Sequence, residues 1–184
     1  MNTTRRKFLK SSSLVLSFAV GGKTFLLSPA EAYAKNVPLT ALTEPDATIL
    51  EVLAEAIVPG ARVAGIRNFI DSQLSADAES SLLMIRYLGV PAPFLGFYTE
   101  GLRSSEQLAQ TRYKKSITSL NTEELSQIIG DIAQGKITAW QGPPAEFFFF
   151  VLRSDAADIV YGTLDGFDRL DIPYMPHIKP EQSW

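Results

Sequence analysis

NTEELSQIIGDIAQG, residues 121–135, is the stretch that decides the fold class, because its two ends and its interior predict the same helix. Asn121-Thr122-Glu123-Glu124 supplies an N-cap side chain followed by acids for the first turn. Apolar residues then recur at three- and four-residue steps: Leu125, Ile128, Ile129 and Ile132. Gly135 can take the left-handed conformation that commonly ends a helix.

Similar patterns on both sides of this stretch extend the helical assignment. Pro59-Gly60 ends one apolar-periodic run, and Pro143-Pro144 opens another. Helices are predicted over about 43–58, 68–74, 76–88, 94–117 and 145–160. No strand-period alternation of useful length is evident. The prediction is an all-α fold, a small helical bundle of five or six helices with an extended C-terminal tail over residues 161–184.

Four consecutive phenylalanines stand near the start of the last long helix: Phe147, Phe148, Phe149 and Phe150. Successive helical positions are about 100° apart, so four in a row cannot all face one core. Either this helix is central and surrounded by its own domain, or part of the aromatic set meets a partner protein. The second interpretation makes all four residues candidates for an interface.

The C-terminal tail mixes large apolar side chains with glycines and prolines. Its candidate contact residues are Tyr161, Phe167, Tyr174 and Met175. A merely disordered tail would be poorer in aromatic residues, and prolines reduce the entropy lost on docking. We therefore expect a strap that lies in a groove, either of its own domain or of a partner.

The N-terminus has the pattern of a twin-arginine (Tat) export signal. Its key residues are Arg5, Arg6, Phe8 and Leu9. The apolar run that follows, residues 11–20, is too short to span a membrane, since a spanning helix needs about 20 apolar residues. Ala32-Tyr33-Ala34 supplies a small-x-small cleavage site. We expect residues 1–34 to be a signal peptide and residues 35–184 a single helical domain, exported by the Tat pathway to the periplasm or the outer side of the cytoplasmic membrane.

The composition excludes several classes of function. Removing residues 1–34 would remove five basic residues and one acidic residue and take the formal net charge from −3 to about −7. An acidic domain argues against nucleic acid as a partner. The chain has no cysteine, which rules out covalent haem attachment and thiol chemistry, and its single histidine, His177, rules out His-rich metal sites.

The acidic residues near the C-terminus do not change that picture. Asp155, Asp158, Asp165, Asp168 and Asp171 lack the spacing of a calcium loop, so we expect solvated acids and no metal. The chain also has no glycine-rich phosphate loop, so no cofactor site is predicted in it.

The order of several short motifs resembles the gluconate 2-dehydrogenase subunit 3 family. The motifs are Ala56-Ile57-Val58-Pro59-Gly60-Ala61, Phe69-Ile70-Asp71, Leu120-Asn121-Thr122-Glu123-Glu124-Leu125, Pro144-Ala145-Glu146-Phe147-Phe148 and Val160-Tyr161-Gly162. The resemblance implies a cofactor-free small subunit of a dehydrogenase whose large subunit is a glucose-methanol-choline (GMC) type oxidoreductase that holds FAD. It also implies a cytochrome c subunit in many such complexes.

Three functions follow as hypotheses. The first is a non-catalytic subunit that binds and stabilises the flavoprotein and supplies the signal read by the Tat translocase. The second is a free-standing exported helical protein that captures a small apolar ligand against the phenylalanines. The third and weakest is an enzyme that uses His177 with Asp165 or Asp171.

Overall fold

The computed structural model describes residues 14–20 and 23–171, and helices dominate this part of the chain. In chain order the elements are β1 (Leu16–Val20), β2 (Lys23–Leu27), α1 (Pro29–Ala34), α2 (Glu44–Ile57), α3 (Ile66–Ser75), α4 (Met84–Tyr87), α5 (Leu95–Tyr113), a 3-10 turn (Ile117–Ser119), α6 (Thr122–Gln134), α7 (Ala145–Tyr161) and α8 (Leu164–Arg169). The predicted helical class is confirmed.

Helix α6 has the ends that its sequence predicts. The Asn121 side chain accepts a hydrogen bond from the Glu124 N–H group at 2.9 Å, and the Glu124 carboxylate accepts one from the Asn121 N–H group at 3.0 Å. This reciprocal pair satisfies two N–H groups that the helix itself leaves unpaired. At the other end, Gly135 adopts a φ of +65° and closes the helix with left-handed geometry.

Helix α7 lies at the centre of the fold. It packs against α2, α3, α4, α5, α6 and α8. Its buried residues include Val151, Leu152, Ala156 and Ile159, which join the main hydrophobic core. The interpretation of this helix as a central one is therefore confirmed by its packing.

The prediction that the chain lacks strands is wrong near the N-terminus. β1 and β2 pair antiparallel, with Phe18 opposite Phe25. Phe18 and Leu27 are buried with Ala32 and Val37 in a second, smaller hydrophobic cluster. Short apolar runs of this kind are compatible with a strand, a buried helix or a signal segment, and periodicity alone does not separate them.

The prediction of a helix over residues 76–88 is wrong for most of its length. Only α4 is helical there, and the preceding loop is held by side chains instead. The Leu82 N–H group donates to the Gln73 side chain at 2.7 Å, and the Met84 N–H group donates to Asp155 at 2.8 Å. Because these bonds come from residues distant in sequence, the local pattern could not predict them.

The tail that was expected to be extended begins with a short helix. α8 follows α7 directly and packs against it. The Gly166 N–H group donates to the Thr163 hydroxyl at 3.1 Å, which favours a helical start at that point.

Candidate partner-binding surface

The aromatic run begins where α7 begins. Pro144 stands at the N-cap position, and its carbonyl accepts hydrogen bonds from the N–H groups of Phe147 at 3.0 Å and Phe148 at 2.9 Å. The Trp140 indole N–H donates to the Pro143 carbonyl at 2.6 Å and fixes the turn before the helix. The two prolines therefore set the direction in which each phenylalanine points.

Phe148 faces the core and is only 1% exposed. Its ring lies against the backbone of α5 at Gly101, where an added Cβ would stand 2.3 Å from the Phe148 Cδ2 atom. Glycine disfavours helix interiors, so Gly101 is an unfavourable residue for the middle of α5. The structure explains its presence: only glycine leaves room for this ring.

Phe147 is half-buried and contacts a second aromatic residue from α5. Its ring and that of Phe97 meet edge to face, with centroids 5.5 Å apart and planes 82° apart. This arrangement is favoured by the ring quadrupoles. Phe147 therefore belongs mainly to the joint between α5 and α7.

Phe150 lies on the side of α7 that faces solvent, and Phe149 lies at the edge of that side, partly packed against the core. Phe149 is half-buried, whereas Phe150 is 39% exposed. The Arg153 guanidinium lies 5.6 Å from the Phe149 ring centroid and 5.8 Å from that of Phe150, within the range of a cation–π contact. The four phenylalanines therefore divide between the core and the surface, as helical geometry requires.

The exposed aromatic side chains continue along α7 to its last residue. We define the α7 stripe as Phe149, Phe150, Arg153, Asp158 and Tyr161, a set of exposed or half-buried residues that together span about half of the circumference of the helix. Tyr161 is 40% exposed. At a rise of about 1.5 Å per residue, the stripe is about 18 Å long. Aromatic residues and arginine are the types most enriched at protein interfaces, so the stripe is the candidate partner-binding surface.

The other predicted site residues are not brought to this stripe by the described chain. Phe167 is half-buried on α8. Arg5, Arg6, Phe8, Leu9, Tyr174 and Met175 lie outside the described residues, as does His177.

Asp155 was expected to be a solvated acid, and that expectation is wrong. Its side chain is fully buried in α7 and accepts hydrogen bonds from the Met84 N–H group at 2.8 Å and the Tyr98 hydroxyl at 2.5 Å. Burial raises the pKa of Asp155 to about 7, although both hydrogen bonds favour the carboxylate. The helical spacing of Asp155 from Phe148 and Leu152 places it on the buried face and could have indicated this.

Two surface grooves lie away from the phenylalanines. One, of about 440 Å³, is formed by α2 and α6 and includes Glu55 and Arg62 in its walls. The other, of about 370 Å³, is lined by Leu14, Phe69, Leu82, Tyr87, Asp158, Ile159 and Gly162. Neither groove is lined by any of the four phenylalanines, against which the alternative hypothesis places a small apolar ligand.

Within residues 14–20 and 23–171, no group of three or more His, Cys, Asp or Glu side chains could hold a metal ion. In the same part of the chain, no helix is long and apolar enough to cross a membrane.

The helical core described above coincides with a match to a known family. The model of the family described as gluconate 2-dehydrogenase subunit 3 matches residues 44–167, more than half of the chain. The chain belongs to this family. Comparison with curated proteins and with solved structures gave no significant match. The match runs from α2 into α8, so it includes the α7 stripe and leaves out the hairpin and α1.

Membership in the subunit 3 family implies oxidoreductase partner subunits.

One of the motifs that suggested the family has a structural role in the fold. The Asp71 carboxylate of Phe69-Ile70-Asp71 accepts hydrogen bonds from the N–H groups of Thr40, Ala41 and Leu42 at 2.8–3.0 Å. It thereby attaches the segment before α2 to α3, a long-range role that sequence spacing does not predict.

Proposed function

We propose that this chain is the non-catalytic subunit that binds the FAD-containing GMC-type flavoprotein of a dehydrogenase complex and supplies the Tat export signal for the pair. The main observation that supports this proposal is the α7 stripe, a surface of aromatic side chains within the part of the chain that matches a dehydrogenase subunit family. The complex would lie in the periplasm or on the outer side of the cytoplasmic membrane, with a cytochrome c subunit as a further partner.

The stripe is suited to a protein partner for a physical reason. Phe150 and Tyr161 keep large apolar areas in water at the two ends of the stripe, and covering them would contribute about 25 cal/mol for each Å² of apolar surface removed from water. Arg153 stands between them and can form charge-assisted hydrogen bonds to a partner carboxylate. An aromatic–arginine centre is the composition typical of residues that carry most of the binding energy.

The direct test measures how tightly the Phe150→Asp variant of this chain binds the flavoprotein. We expect co-expressed flavoprotein to bind this variant about tenfold more weakly or worse, a loss of about 1.4 kcal/mol or more. Val63→Asp is the matched control, because Val63 is 64% exposed and lies in the loop between α2 and α3. Both variants should keep the urea midpoint of the unchanged chain. Full binding by Phe150→Asp would show that the stripe is not the interface.

The export part of the proposal is tested separately. With Arg5 and Arg6 both changed to Lys, the flavoprotein should remain in the cytoplasmic fraction while still binding the subunit. With Phe150→Asp, the flavoprotein should likewise stay in the cytoplasmic fraction, because it no longer binds the subunit that carries the signal. Equal export of the flavoprotein in the double-lysine variant would refute the escort role.

A further inference from the structure

The predicted leader is folded onto the domain that it precedes. Leu14 forms one wall of the groove that is also lined by Phe69 of α3 and Ile159 of α7, and both Leu14 and Leu16 pack against the main hydrophobic core. Phe18 and Leu27 of the hairpin are buried in the smaller cluster. The apolar run expected to be part of a signal peptide is therefore in contact with α3 and with the core of the domain.

Helix α1 fixes this arrangement at its other end. Ser28 and Glu31 form a reciprocal capping pair, at 2.8 Å and 3.2 Å. The Pro29 carbonyl oxygen would stand only 2.1 Å from a Cβ placed at Gly65, so the glycine before α3 allows α1 to approach this closely. Beyond α1, the Val37 carbonyl accepts a hydrogen bond from the buried Asn68 side chain at 3.3 Å.

The predicted cleavage site lies inside this folded segment. Ala32, Tyr33 and Ala34 are helical in α1, and Ala32 is completely buried. An enzyme that binds its peptide substrate as an additional β-strand needs free N–H and C=O groups on the backbone of that peptide. The Ala32 N–H group donates to the Ser28 carbonyl at 2.9 Å, and the carbonyls of Ala32 and Tyr33 accept from the N–H groups of Val37 and Asn36 at 3.0 Å. Cleavage after Ala34 therefore requires this segment to open first.

The groove that Leu14 helps to line adjoins the α7 stripe. Asp158 lines the groove and also belongs to the stripe, and Gly162 of the groove directly follows Tyr161 of the stripe. Leu82 and Tyr87 extend the groove with partly exposed apolar surface on its far side. A protein that covers the C-terminal half of the stripe therefore reaches the edge of the groove that Leu14 lines.

We propose that residues 14–20 and 23–37 belong to an autoinhibitory clasp, whose Leu14 packs against the main core at the groove between α3 and α7 in the free subunit and leaves this position when the flavoprotein binds. This inference rests on the proposed function, because the flavoprotein is the agent of release. Export would then be restricted to assembled pairs, since a subunit without its partner keeps both the apolar run and the cleavage site against its own domain.

The chain has no cysteine, so a single introduced thiol reports the state of the clasp. In the full-length precursor, Leu14→Cys should react with a maleimide about tenfold more slowly than Leu26→Cys, which lies on the same hairpin and is 61% exposed at the native residue. Adding Leu82→Asp, which places a charge in the partly exposed wall of the groove, should bring the rate of Leu14→Cys close to that of Leu26→Cys. Equal rates in the two single-cysteine chains would overturn the clasp.

The release step is measured with the purified flavoprotein. Its addition should raise the alkylation rate of Leu14→Cys about tenfold and accelerate cleavage after Ala34 by purified signal peptidase. If the flavoprotein binds but the alkylation rate of Leu14→Cys does not change, the release step is overturned while the proposed function stands. If the flavoprotein does not bind at all, both the proposed function and the release step are overturned. The comparison of the alkylation rates of Leu14→Cys and Leu26→Cys would still show whether the leader docks on the domain.

Discussion

Asp155→Asn should remove the pH dependence that one buried carboxyl group imposes on the stability of this domain. Asp155 is fully buried, and its pKa is raised from the ordinary value of 3.8 to about 7 because burial disfavours the charged form. Asparagine keeps an acceptor for the Met84 N–H group and offers a donor to the Tyr98 hydroxyl oxygen. The substitution therefore preserves the shape and the contacts while removing the titration.

The size of the effect follows from the two pKa values. Because the folded value lies above the unfolded one, the stabilising contribution of Asp155 is fully present below about pH 4 and is lost as the pH rises through about 7. Each pKa unit corresponds to about 1.4 kcal/mol, so the complete loss amounts to about 4 kcal/mol. Between about pH 5 and about pH 8 the loss is about 2.5 kcal/mol.

Urea unfolding of both full-length chains, followed by far-ultraviolet circular dichroism at four values between about pH 5 and about pH 8, measures this difference. Burial also raises the pKa of Glu51, so the unchanged chain alone does not isolate Asp155. The difference between the two chains cancels the Glu51 contribution. We expect the free energy of unfolding of Asp155→Asn to gain about 2.5 kcal/mol relative to the unchanged chain over this range. Two parallel curves would refute the reasoning.

Three further substitutions probe packing and polar contacts by urea unfolding. Asp71→Ala should lower the free energy of unfolding by about 3 kcal/mol, because three backbone N–H groups lose a charged acceptor; unchanged stability would contradict this. Gly101→Ala should lower the free energy of unfolding by about 1–3 kcal/mol, because the new Cβ meets the Phe148 ring. This loss is expected although alanine has the better helix propensity. Adding Phe148→Leu to the same chain should make the loss in free energy of unfolding smaller. A stabilised Gly101→Ala would show that the ring moves freely. Arg112→Ala should cost less than about 1 kcal/mol, because its ion pair with Asp131 is partly exposed, and a larger loss would mean that the pair is effectively buried.

Part of the candidate surface could be predicted from sequence. The argument that Phe147–Phe150 cannot share one face needs only the helical repeat, and the structure confirms it by burying Phe148 and exposing Phe150. Which of the four would be exposed could not be predicted, because that depends on where α5 crosses α7. Gly101 decides the crossing, yet in the sequence it is only a residue that weakens a helix.

The burial of Asp155 shows the same limit for polar residues. A carboxyl group near arginine in a C-terminal segment is usually solvated, and the sequence contains no local sign of its partners. Tyr98 and the Met84 N–H group lie 57 and 71 residues away along the chain. Only packing brings them together.

The sequence by itself determined the helical class, the ends of α6 and α7 and the family, because caps, helical period and the order of short motifs are local properties of the chain. The tertiary structure alone decided the central place of α7, the hydrogen-bond partners of Asp155 and the packing of Leu14 against the main core. The physical reason is that burial and long-range hydrogen bonds belong to pairs of distant segments. Their free energies depend on which faces meet, and no single stretch of residues encodes that choice.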